Sequence, residues 1–111
     1  MLYLIIGLFA IAAVMGIINL KHWMGGDKPP RGVVYAHGLF AASALVLLLV
    51  QAMKGEGAGL RTSLVFFIIA ALGGFYLFAR DLQNKIGPGW LAMIHGLVAV
   101  VGFVLLLLVA F

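Results

Sequence analysis

Four long apolar runs separated by three short polar segments make up this chain. Lys, Arg, Asp and Glu occur only within residues 21–31, 54–61 and 80–85. The runs between them, residues 1–20, 32–53, 62–79 and 88–111, each approach the ~20 residues that a helix needs to cross hydrocarbon. Backbone polar groups in lipid must be satisfied within the segment, and these runs are too long and too uniformly apolar for barrel strands. The pattern predicts an all-α protein with four transmembrane helices. The loops are short, so consecutive helices are expected to be antiparallel neighbours in an up-down bundle, a single membrane domain over residues 1–111.

Composition agrees with that reading. Hydrophobic residues make up 66% and charged residues 9%, which excludes an ordinary soluble domain. The first run has no basic segment before it and no small-residue cleavage site after it, so it is expected to be a helix of the bundle, not a signal. No cysteine is present, so disulfides, Fe–S clusters and thiolate-held haem are excluded. The net charge of +4 is read as a topology signal, with no nucleic-acid partner expected. Lys21, Lys28, Arg31, Arg80 and Lys85 fall on one side of the bundle, and Lys54 and Arg61 on the other. The positive-inside rule then puts the first group in the cytoplasm and both termini outside, as for a bacterial inner-membrane protein.

The apolar runs also repeat. A shift of 58 residues lays segment 1–53 on segment 60–111, so that Gly16 meets Gly74, Pro30 meets Pro88 and His37-Gly38-Leu39 meets His95-Gly96-Leu97. Proline and histidine are scarce here, and their joint agreement points to two copies of one helical hairpin. Each copy crosses the membrane twice, so the copies are expected to share an orientation about an axis along the membrane normal. Helices 2 and 4 then lie on a diagonal, with His37 and His95 facing each other at equal depth. Adjacent helices ~8–10 Å apart give a diagonal of roughly 12–14 Å.

An ionisable side chain within a span is costly and marks a candidate functional site. His37 and His95 are such a pair, expected to hold one metal from two sides. Residues at i+4 and i+7 share a helix face with residue i. On the histidine faces these are Ala41 and Ala44, and Ala99 and Gly102, all small, and they predict a slot that Leu48 and Leu106 close from below. Gly16 and Gly74 are expected at the histidines' depth, where they would let the edge of a flat ring approach the backbone. Arg31 and Arg80 sit at the same mouth, with Asn19 and Tyr76 just inside it. His22, beside Lys21 and Trp23, reads as an interfacial residue, as do Tyr35 and Trp90.

A four-helix membrane bundle with axial histidines on diagonal helices resembles the membrane-bound b-type cytochromes, including the cytochrome b561-like superfamily. The resemblance rests on the architecture, on His37 and His95, and on the glycine layer. It implies haem b held by two histidines, with Arg31 and Arg80 near its propionates. Many members of that superfamily carry four helix histidines and two haems, whereas this chain has two and is expected to hold one.

Three function classes follow. The first is electron transfer through bis-histidine haem, an oxidoreductase role if enzymatic, with quinone or a redox protein as partner. The second is a small transporter or proton pathway using the paired histidines, against which stands the expectation that no Asp or Glu lies inside a span. The third is an accessory subunit whose histidines only bind helices together. The expected surroundings are membrane lipid and a possible second copy of the chain.

Overall fold

The computed structural model describes residues 1–55 and 57–111. Four helices account for nearly all of them: α1 (Leu2–Met24), α2 (Arg31–Met53), α3 (Ala58–Leu82) and α4 (Gly89–Ala110). Each is long and apolar enough to span a membrane. The longest dimension of the molecule, 42 Å, matches a bilayer with its headgroup layers, ~40–45 Å. This is an integral membrane protein with the predicted all-α architecture.

The helices overrun the predicted spans into the polar segments. Most notably, α3 continues to Leu82 and takes in Asp81, which is 2% exposed. The expectation that no carboxylate lies within a span is thereby corrected. Its charge is met by a guanidinium: Arg31 Nη1 donates to Asp81 Oδ2 at 3.1 Å, so the helix is not forced to end before it. Pro30 and Pro88 do mark boundaries, standing as the residues that precede α2 and α4. Proline lacks an N–H and has a preset φ, which suits the first turn of a helix and not its interior.

α1 packs on α2 and α4, and α3 packs on the same two, leaving α1/α3 and α2/α4 as the diagonals. The end bearing the α1–α2 and α3–α4 connections is called the loop end below, and the other the terminus end. The core lies towards the terminus end, where Ile5, Leu48 and Leu106 are fully buried and Leu60 almost so. Within it Phe9 and Phe67 stack across the α1/α3 diagonal, with ring centroids 3.9 Å apart and planes 3° from parallel. Gly102 makes room for this pair, since a Cβ there would stand 3.2 Å from the Phe67 ring. The fully buried Ser63 hydroxyl donates to the Gly102 carbonyl at 2.8 Å and so leaves no polar group unmet at that crossing. Outside, side chains such as Leu39, Leu72, Phe75, Leu97 and Leu108 are exposed, as lipid contact requires.

Candidate functional site

His37 and His95 meet at the bundle axis, with ring centroids 6.2 Å apart and planes at 79°. Each ring is held by the adjacent helix of its own hairpin. His37 Nδ1 lies 2.7 Å from the Ala12 carbonyl oxygen, and His95 Nδ1 lies 2.7 Å from that of Ala70. A carbonyl only accepts, so Nδ1 carries the proton and donates, and Nε2 keeps its lone pair. This pattern recurs at metal-binding histidines, where a hydrogen bond at one ring nitrogen fixes the tautomer and orients the other towards the ion.

The glycine layer packs against the histidines themselves. A Cβ on Gly16 would stand 3.0 Å from Cε1 of His37, and a Cβ on Gly74 the same distance from Cε1 of His95. The two glycines therefore seat the imidazoles against α1 and α3.

The small residues divide by depth. Ala41 and Ala99, one turn from the histidines, are half-buried. Ala44 is fully buried, and Gly102 is buried against Phe67. Along the four small residues, Gly102 packs against Phe67, which stacks on Phe9 beneath the histidines. Leu48 and Leu106, expected to close it, lie fully buried beyond that stack.

At the loop end, Arg31 is engaged with Asp81, and Arg80 Nε donates to the Gly87 carbonyl. Neither guanidinium is turned over to an open anion site. Tyr76 is exposed, whereas the Asn19 side-chain oxygen is buried without a hydrogen-bond partner. Tyr35 and Trp90 are exposed in the first turns of α2 and α4, as interface residues would be. His22 lies in the last turn of α1 and pairs with Asp27 at 3.1 Å.

Among the described residues no group of three or more His, Cys, Asp or Glu side chains converges. Two imidazoles are what the protein offers to a metal here. Metal–imidazole nitrogen bonds near 2.0–2.1 Å, with about 1 Å more from nitrogen to ring centre, put two trans imidazoles roughly 6 Å apart centre to centre. The two rings stand edge to face with centroids 6.2 Å apart.

Sequence reasoning missed the Phe9–Phe67 floor and the buried Asp81. Phe9 and Phe67 are related by the same 58-residue shift as the histidines, a signal that was legible. Asp81 lies at i+7 from Gly74, on the face that carries the Ala70 carbonyl, and its charge alone suggested a loop. No known protein family, curated protein or solved structure matches this chain.

Proposed function

We propose that this protein binds one haem b per chain, with His37 and His95 as axial ligands, and serves in electron transfer within the membrane. The observation that carries the reading is the pair of matched Nδ1 anchors on Ala12 and Ala70, with the imidazoles 6.2 Å apart. His37 and His95 would hold the haem, which when bound would supply reversible one-electron chemistry. The chain's own part is to orient both imidazoles through the carbonyl bonds and to keep bulk water from the terminus side of the site.

The donor set fits the group, and Ala41 and Ala99 give it depth on the terminus side down to the phenylalanine stack. Gly16 and Gly74 support the ligand rings. Arg31 lies at the loop end, where a propionate would emerge beside an arginine already paired to Asp81. A quinol or a small redox protein is the proposed electron partner. The proposed setting is a bacterial inner membrane, with the loop end in the cytoplasm, as the distribution of lysine and arginine favours.

An absorption spectrum of detergent-purified protein, oxidised and then reduced with dithionite, tests the reading. The expected result is a low-spin six-coordinate spectrum and one haem per chain by pyridine haemochrome. His37→Ala and His95→Ala should each abolish that spectrum while the chain still inserts. A colourless wild type after expression with ample haem would overturn the proposal.

A further inference from the structure

The two hairpins meet along two seams, α2 against α3 and α1 against α4, and the 58-residue shift carries one seam onto the other. At the loop end the seams differ. On the α2/α3 side Arg31 pairs with Asp81 at 3.1 Å, and Tyr35 meets Phe78 edge-on with ring centroids 5.9 Å apart. Just beyond the helix ends, Lys28 Nζ donates to Asn84 Oδ1 at 2.7 Å. The shift puts Gly89 in the place of Arg31, Trp23 in that of Asp81, Met93 in that of Tyr35 and Leu20 in that of Phe78. The α1/α4 side therefore has no counterpart of the ion pair.

Other polar contacts do not replace it. The side-chain hydrogen bonds of the spans at Ala12, Ala70 and Gly102 each stay within one hairpin, and none joins α1 to α4 among the described residues. At the loop end of that seam the Met24 sulfur stands 3.0 Å from where a Cβ on Gly89 would be. The aromatic contact on this side, Tyr3 with Phe111, lies at the terminus end.

We propose that the bundle opens at its loop end by parting α1 from α4, with the α2/α3 seam as the hinge, and that a flat apolar ligand passes from the bilayer through this gap to His37 and His95. Lipid tails are as apolar as the α1/α4 seam, so parting it exchanges packing on protein for packing on lipid. The methionine at its mouth has three rotatable side-chain bonds and can swing clear. Parting α2 from α3 would instead strip the guanidinium from a carboxylate side chain that is 3% exposed, and an unpaired charge in such surroundings is costly.

The gap leads to the histidine layer. His95 lies six residues beyond Gly89, and Gly16, the seat of the His37 ring, lies eight before Met24. Each is about two turns into the bundle at 3.6 residues per turn. Parting the two helices draws the one that seats His37 away from the one that carries His95. That the ligand is haem rests on the function proposed above; the opening does not.

Spin labels on introduced cysteines test the motion, since the chain has no cysteine of its own. Lys21→Cys with Met93→Cys reports on α1/α4, and Gly32→Cys with Ala79→Cys on α2/α3, all at exposed positions. In lipid nanodiscs, pulsed EPR of the haem-free protein should give a broad distance distribution with a longer component for the first pair and a narrow one for the second. Met24→Cys with Gly89→Cys, bridged by a short reducible thiol cross-linker, should lose haemin uptake and regain it on reduction. Tyr35→Cys with Phe78→Cys should take up haemin whether bridged or not. The proposal is overturned if the α2/α3 distances are as broad as those across α1/α4, or if bridging α1 to α4 leaves uptake intact. A wild type that takes up no haemin overturns the haem reading instead, and the distances then decide the opening.

Discussion

Phe9 and Phe67 lie ring on ring across the bundle axis, 3.9 Å between centroids, on helices whose backbones do not otherwise meet. This contact joins the two hairpins at the centre of the core and sets the floor beneath the histidines. Removing one ring leaves a cavity that the surrounding helices cannot fill without moving. Phe→Ala in a packed core typically costs about 3–5 kcal/mol. Phe67→Ala should therefore lower the thermal midpoint of the detergent-solubilised protein strongly, whereas Phe75→Ala, at a side chain 69% exposed, should not. Equal midpoints for the two variants would remove the stack from the stability argument.

The glycine layer yields a sharper test, because its partner is the imidazole. At 3.0 Å a new methyl cannot coexist with Cε1 of the histidine, so the ring or the helix must shift. Gly16→Ala should displace His37, and Gly74→Ala should displace His95, each lowering haem occupancy and altering the low-spin spectrum. Gly7→Ala adds the same methyl where nothing lies within 4 Å and should leave the spectrum unchanged. If all three variants behave alike, the glycines do not position the ligands.

The histidine pair, its equal depth and its diagonal placement were legible in the sequence because histidine and proline are rare in so apolar a chain. The anchors were not, since Ala12 and Ala70 act through backbone carbonyls that their side chains do not reveal. That Gly16 and Gly74 seat the histidine rings was hidden for a related reason. Small residues report close approach without saying what approaches, and here the histidine ring itself takes the space. Asp81 was read as loop because charge usually ends a span. The Arg31 guanidinium, fifty residues earlier in the chain, is what keeps it helical and buried.

Depth along the groove gives a graded prediction. Ala41 and Ala99 are half-buried one turn beyond the histidines, on the side of the Phe9–Phe67 stack. A leucine at either position adds three carbons there, so Ala41→Leu and Ala99→Leu should each reduce the haem-to-protein ratio while inserted protein remains. Ala10→Leu, on the exposed side of α1, serves as the control. A haem-to-protein ratio unchanged in all three would show that the small residues serve helix packing alone.

The proposed sidedness rests on five Lys and Arg in segments 21–31 and 80–85 against two in 54–61, a bias that favours the loop end in the cytoplasm. Gly26 and Gly57 would be natural cysteine positions by sequence. Both have positive φ, +74° and +107°, where a side chain is strained. Gln83 and Ala58 are exposed and avoid that difficulty, and they lie at opposite ends of α3. With an impermeant thiol reagent on intact cells, Ala58→Cys should be labelled and Gln83→Cys protected until the cells are opened. His37 lies six residues beyond Arg31, so at ~1.5 Å per residue the histidine layer is about 9 Å below the loop end. A donor on the cytoplasmic face should then reduce the bound haem faster than an impermeant external one. Labelling of Gln83→Cys in intact cells would invert the topology and move the haem to the outer side.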